Sequence, residues 1–209
     1  MSEIYSALNG EGVHVGVPVM IVRTQGCNLH CDWCDTKHAQ NCEDGLEISV
    51  DNIINKTNHW PHWVMLTGGE PLLQPGEVHE LVRKLKHMSV NVEVETNGSI
   101  VPPSWWREVS CWSADIKCPS SGMCGMSKLE WLGARDQDQI KFVVADREDL
   151  EFAHKTFMHV DRISSTILIS PVWPWTNVWL RECVKFCLQH GVRLSMQQHK
   201  EIFGNERGV

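Results

Sequence analysis

Three thiols crowded into eight residues are the feature of this chain with the most immediate chemistry. Cys27, Cys31 and Cys34 stand in the run Arg23-Thr-Gln-Gly-Cys27-Asn-Leu-His-Cys31-Asp-Trp33-Cys34-Asp35-Thr36, a Cys-x3-Cys-x2-Cys spacing. Thiolates are soft ligands that select zinc or iron-sulfur clusters, and a short loop can wrap three of them around one face of a cubane. Three ligands leave one iron open to chelate a small molecule and pass it an electron, whereas a structural site is normally closed by a fourth. The missing fourth cysteine is therefore informative. The spacing alone also admits a zinc site completed by His30 or His38, or three buried free thiols.

A second candidate is Val64-Met-Leu-Thr67-Gly68-Gly69-Glu70-Pro71, an apolar run ending in two glycines. Glycine leaves the backbone bare, so a ligand can approach the strand end closely. By itself the segment also reads as an ordinary tight turn. Of the remaining cysteines, Cys183 and Cys187 lie four apart and fit the core face of a helix. Cys42 and Cys111 also remain, and Cys118 and Cys124 could bind an auxiliary cluster, although their separation gives no recognised ligand pattern. Ten Trp stand against one Tyr. Trp105/Trp106 and Trp173/Trp175/Trp179 could stack on a flat heterocycle, although packing is the commoner use of Trp.

These groups need a scaffold, and the pattern supplies one. Apolar, β-branched runs at 17–23, 63–67, 90–95, 111–117, 139–144, 166–170 and 192–196 read as strands. Amphipathic segments between them read as crossover helices, which makes the class α/β with a parallel sheet. The best helix is 76–88, where Val78, Leu81, Val82, Leu85 and Met88 share one face after the breaker Pro75. Others are expected near Ser49, at 147–158, and at 177–190 before a stop at Gly191. Six or seven strands are too few for a complete eight-fold barrel, so a partial barrel is expected, with ligands at the carboxyl ends of the strands. Both motifs fall at such ends.

The chain of 209 residues suits one domain over 1–209, with 42% apolar and 22% charged residues. Its net charge is −7, from 19 basic and 26 acidic residues, and no long basic run follows a phosphate backbone, so nucleic acid is disfavoured as a partner. No stretch approaches the apolar length of a membrane span, and no membrane partner is expected. The opening MSEIYSALNGEG has neither a basic n-region nor an apolar core, so nothing suggests export. Nine cysteines then fit a reducing cytoplasm better than a disulfide framework.

The cysteine loop and its flanks closely resemble the cluster motif of the radical S-adenosylmethionine superfamily. More of the chain narrows the likeness: Leu8-Asn9-Gly10-Glu11-Gly12, Gly16-x-Pro18, Arg23-Thr-Gln-Gly-Cys27, Cys34-Asp35-Thr36-Lys37-His38, Thr67-Gly-Gly-Glu-Pro-Leu-Leu-Gln74, Glu93-x-Glu95-Thr96-Asn97-Gly98, Asp115-x-Lys117-Cys-Pro-Ser-Ser, Lys141-Phe-Val-Val and Gln197-Gln-His199-Lys200. Together these look like the 7-carboxy-7-deazaguanine synthase family. The resemblance implies a trimmed barrel, a homodimer, a 4Fe-4S cluster on Cys27, Cys31 and Cys34, S-adenosylmethionine and Mg2+. It implies conversion of 6-carboxy-5,6,7,8-tetrahydropterin to 7-carboxy-7-deazaguanine with loss of ammonia, and an electron donor such as flavodoxin or ferredoxin.

Carried over position by position, it implies cofactor contacts from Trp33, Cys34, Asp35, Gly68, Gly69, Glu70, Asp115, Ile116 and Lys117. Leu8, Asn9, Gly10, Glu11, Arg23 and Thr67 would meet the substrate, and Thr36 would meet Mg2+. The chemistry suits these residues. Arg23 offers a planar fork for the pterin carboxylate, Glu11 can accept from a pterin N–H edge, and Thr36 is a hard oxygen of the kind Mg2+ takes. Two departures stand out. The family usually has Gln where this chain has Asn9, and it often ends in a proline whose carboxylate meets the substrate, a role not assigned to Val209. On the residues alone two rivals remain: an activase that makes a glycyl radical on a protein partner, and a non-catalytic zinc-binding interaction module.

Overall fold

The computed structural model describes residues 1–57, 62–159 and 164–209. Its elements run β1 (Glu3–Leu8), β2 (Pro18–Thr24), α1 (Val50–Thr57), β3 (Trp63–Gly68), α2 (Pro75–His87), β4 (Asn91–Thr96), β5 (Cys111–Ile116), β6 (Gln139–Val144), α3 (Arg147–Met158), β7 (Thr166–Pro171), α4 (Asn177–His190), β8 (Arg193–Leu194) and α5 (Gln198–Phe203), with short 3-10 turns between. One sheet holds eight strands in the order of the chain. β1 is antiparallel to β2, and every later neighbour is parallel. The sheet curls as a partial barrel whose edges, β1 and β8, do not pair.

The expected six or seven strands become eight. β1 escapes pattern reading because an edge strand with one partner needs no continuous apolar run, and its residues are mostly half-buried. The expected strand 192–196 shrinks to two residues. Helix α2 starts on Pro75 and buries Val78, Leu81, Val82 and Leu85, each worth roughly 1.5–3 kcal/mol of transfer free energy. Met88, expected on that face, is the C-cap and is 40% exposed. Asp146 and Thr176 cap α3 and α4 by accepting from Asp149 N and Trp179 N, and Gly191 ends α4 in the left-handed region.

Period-two alternation gives the sheet two different faces. Val22, Val64, Leu66, Val92, Val94, Ala114, Ile116, Ile140 and Phe142 point outward into the main core beneath the helices. Cys183 and Cys187 of α4 join that core, as their spacing predicts. Many inward residues are polar, and Val19, Ile21 and Met65 make a small buried apolar cluster with Tyr5, Ala7, Val17 and Trp63 packed against it. Trp105 packs against His79 and Trp112 in the outer layer and offers no open stacking face. No helix among the described residues is long and apolar enough to cross a membrane.

The loop joining β1 to β2 spans the open seam of the barrel. Gly12 N donates to Ser195 Oγ at 2.9 Å, Gln198 N donates to the Gly10 carbonyl at 2.8 Å, and Val13 N donates to Gln139 Oε1 at 2.8 Å. Gly10 lies so close to the His199 ring that a Cβ would overlap it. The first connection of the chain is thereby clasped to its last strand and helix.

Candidate active site

A cavity of about 440 Å³ opens at the carboxyl ends of the strands. The three loop thiols line it, together with Trp33, Asp35, Thr36, Gly68, Gly69, Asp115 and Lys117. Leu8, Asn9, Gly10, Glu11, Arg23 and Thr67 line the same space. Of the residues expected at the site, Glu70 and Ile116 alone do not face it. Ile116 is 2% exposed and its side chain belongs to the outer core, so only its backbone is available to a ligand. Glu70 is fully buried and accepts from Leu72 N at 2.9 Å, Thr96 Oγ1 at 2.9 Å and Asn97 N at 2.7 Å. Its carboxylate ties the end of β3 to the end of β4 rather than reaching the cavity.

The two glycines have a local reason. Glu70 N donates to the Gly26 carbonyl at 2.8 Å, which seats the start of the cysteine loop directly on Gly69. A Cβ at Gly69 would overlap the Gly26 and Ala39 carbonyl oxygens. Gly68 has φ of 149° and equally little room against the Thr24 backbone. Close backbone approach positions the thiol loop here.

Cys27, Cys31 and Cys34 fit a cluster with one open corner. Among the described residues they are the only cysteines on the cavity wall. The Cys27 sulfur accepts from Leu29 N at 3.5 Å and Asn97 Nδ2 at 3.6 Å, the kind of outer hydrogen bonds that tune thiolate-bound iron. Burial holds the Cys27 and Cys31 thiols above their usual pKa. The zinc reading loses its fourth ligand, because His30 lies beside Gln40 and His38 beside Glu3, both off the cavity wall. Cys118 is buried and donates to the Ile116 carbonyl, while Cys124 is exposed.

Charges meet in the barrel interior on the same cavity. Lys141 Nζ lies 3.2 Å from Glu11, 3.5 Å from Asp115 and 4.0 Å from Glu95. Lys117 Nζ lies 2.6 Å from Asp115 and 5.5 Å from the Trp33 ring centroid. Burial by itself would lower the Lys141 pKa, but Asp115, Glu11 and Glu95 hold it well above the ordinary lysine value. Burial pushes Glu11 up to about 7, with Lys141 opposing, and Glu11 Oε2 is buried without a hydrogen-bond partner. Thr67 Oγ1 donates to Glu95 Oε2 at 2.8 Å. Arg23 is held by Glu3 at 3.0 Å and the Tyr5 hydroxyl at 3.3 Å, which aims the rest of its fork at the cavity.

Asn9 departs from expectation in use, not in place. It is 1% exposed, and its amide donates to Glu93 Oε2 at 3.4 Å while its carbonyl accepts from Glu11 N at 3.1 Å, so its side chain shapes the loop. Trp173, a candidate for stacking, lines the cavity; Glu95, Lys141 and His199 line it too, although the motifs that contain them suggested no site role. The available signal was polar side chains at alternate positions along apolar runs, Glu93/Glu95, Asp115/Lys117 and Gln139/Lys141, which marks a polar barrel interior. Val209 also lines the cavity.

Comparison with known proteins gives the family of the chain and its fold. Residues 21–109 match the Radical SAM superfamily model. The chain is 34% identical to the 7-carboxy-7-deazaguanine synthase of Methanospirillum hungatei over 97% of its own length and 84% of that protein. It is 33% identical to the synthase of Leptospira interrogans, covering 99% of this chain and 96% of the relative, and 34% identical to that of Koribacter versatilis, covering 100% and 99%. Among solved structures, QueE from Escherichia coli superposes with a TM-score of 0.75 at 24% identity, over 95% of this chain and 93% of that one. SuiB of Streptococcus suis bound to S-adenosylmethionine shares the fold at a TM-score of 0.58 and 13% identity, over 85% of this chain and 49% of that one. With near full-length identity above three in ten to several synthases, the chain belongs to the 7-carboxy-7-deazaguanine synthase family of radical S-adenosylmethionine enzymes.

Proposed function

We propose that this protein converts 6-carboxy-5,6,7,8-tetrahydropterin to 7-carboxy-7-deazaguanine with loss of ammonia, a step toward queuosine and related deazapurines. The observation that carries the reading is a single cavity lined both by the three thiols and by Arg23, Thr67, Glu11, Glu95 and Lys141. When bound, the cluster and S-adenosylmethionine supply one-electron cleavage to methionine and a 5'-deoxyadenosyl radical.

The chain's own residues bind, orient and exclude water. Trp33, Asp35, Gly68, Gly69 and the Asp115–Lys117 pair stand near the thiols, where S-adenosylmethionine would lie. Arg23 offers a guanidinium to the pterin carboxylate. Glu11 Oε2, buried and unpartnered, is an acceptor awaiting an N–H donor, and the heterocycle edge provides one. Thr36, beside Cys34 at 3.7 Å, supplies the oxygen proposed for Mg2+, which would fix the substrate carboxylate. No general base is needed from the protein. We further propose one domain, a homodimer in the cytoplasm, and reduction by a flavodoxin- or ferredoxin-type donor, as the family resemblance implies.

Two alternatives predict different behaviour. An activase acting on a protein glycine has no use for a charged pocket and would not be thermally stabilised by the pterin acid. A zinc module would bind about one zinc per chain and show no visible colour. The deciding test is anaerobic turnover with the pterin acid, S-adenosylmethionine and reductant, followed by mass detection of the deazapurine.

A further inference from the structure

Beneath the cavity floor lies a chain of polar side chains that the reaction itself does not use. Glu93 and Gln139 are 2% and 1% exposed, and neither lines the cavity. Gln139 Oε1 accepts from Val13 N at 2.8 Å, and Gln139 Nε2 donates to Glu93 Oε1 at 2.7 Å. Glu93 Oε2 accepts from Asn9 Nδ2 at 3.4 Å and pairs with His14 Nδ1 at 2.8 Å. Asn9 Oδ1 in turn accepts from Glu11 N at 3.1 Å. Gly12 packs so tightly over the Gln139 carboxamide that a Cβ would meet Oε1 at 2.5 Å, and its φ is +77°.

We propose that Glu93 and Gln139 are positioning residues that set the β1–β2 loop and thereby place the Glu11 carboxylate for the pterin; this rests on the function proposed above. Strand β6 acts at two points two residues apart. Gln139 holds the loop backbone, and Lys141 holds one oxygen of Glu11 at 3.2 Å, leaving the other free and buried. The polarity of the chain of bonds is fixed. Val13 N–H obliges Gln139 to present its carbonyl to the loop and its amide to position 93, so position 93 must accept there. His14, Glu93 and Cys111 also offer ligand atoms within 4.8 Å of one another. Both Glu93 oxygens are already engaged, and the Cys111 thiol donates to the Trp112 carbonyl, so the group reads as a hydrogen-bonded scaffold.

The fixed polarity gives a specific test with the reconstituted holoenzyme. Glu93→Gln can turn its amide toward Gln139, where it meets another amide, or its carbonyl, which leaves the pair without its negative charge. Gln139→Glu sets two carboxylates face to face. The double variant Glu93→Gln/Gln139→Glu restores every donor and acceptor. The new carboxylate at position 139 accepts both from Val13 N and from the new amide at position 93, whose carbonyl then faces His14 and Asn9. Each single variant should raise KM for the pterin roughly tenfold, the equivalent of about 1.4 kcal/mol, with kcat and the KM for S-adenosylmethionine little changed. The double variant should return KM to near the parent value. A pterin KM unmoved in the single variants, or moved together with that for S-adenosylmethionine, overturns the proposal. So does a double variant that keeps the raised KM or does not fold, and the double variant decides the matter if Glu93→Gln itself does not fold. If the parent makes no deazapurine while still releasing 5'-deoxyadenosine, the substrate reading fails instead of the positioning role.

Discussion

Lys141 Nζ stands 3.2 Å from Glu11 Oε1, joining strand β6 to the loop that crosses the barrel seam. Glu11 thus meets a cation with one oxygen, while its other oxygen is buried with no partner. That asymmetry leaves the carboxylate costly to ionise until a ligand donates to it.

The pH dependence of substrate binding follows. Because burial raises the Glu11 pKa to about 7, the folded protein holds a proton there that the unfolded chain has already released. Ionisation therefore costs stability as pH rises from the ordinary carboxylate range through about 7, and an N–H donor offsets that cost. Pterin affinity, measured by anaerobic calorimetry, should rise roughly tenfold between about pH 6 and about pH 8. Glu11→Gln should flatten the profile; a Gln variant with an unchanged pH slope would place the titration elsewhere.

Removing the central cation should cost the fold more than removing any one of its partners. Lys141→Met leaves Glu11, Glu95 and Asp115 facing one another in a buried space. The expected loss is about 3 kcal/mol, or roughly 10 °C in Tm, read by calorimetry of the reconstituted protein. Lowering the pH should recover part of it, since protonation relieves carboxylate repulsion.

Gly69→Ala tests the seat of the cysteine loop. Its Cβ would run into two backbone carbonyls, which cannot swing aside as a side chain would. The variant should take up less than about half the iron of the parent on reconstitution, because the loop must lift from β3 before the methyl group fits. Parent-like iron content would show that the close approach is dispensable.

Asn97 links structure to redox behaviour. Its amide donates to the Cys27 sulfur at 3.6 Å, and its backbone is fixed by Glu70 at 2.7 Å. Asn97→Leu removes the donor, so the cluster potential should move to more negative values in an EPR-monitored titration. An unshifted potential would mean that this hydrogen bond does not survive cluster binding.

Much of this is legible in the sequence. Seven parallel strands, four helices and the placement of both motifs at strand ends follow from periodicity and turn chemistry, because each element carries its own local pattern. β1 was not legible, since an edge strand with half-buried residues lacks that pattern. α5 was missed because Gln198, His199, Lys200 and Glu201 carry no apolar stripe. The thiol loop announced itself by spacing. Glu70 and Asn9 did not reveal that their side chains are consumed internally, since that depends on which residues of β4 lie opposite them. Lys141 stood in a family motif without a role: Asp115 lies beside it by strand pairing, but Glu95 and the loop residue Glu11 reach it only through the fold.

The central claim is that three thiols and the charged residues lining the same cavity serve one reaction. Anaerobically reconstituted protein given 6-carboxy-5,6,7,8-tetrahydropterin, S-adenosylmethionine and a strong reductant should yield 7-carboxy-7-deazaguanine by mass spectrometry, and a Cys31→Ser variant should yield none. Brown, iron-loaded protein that forms neither the deazapurine nor 5'-deoxyadenosine under these conditions would contradict the account.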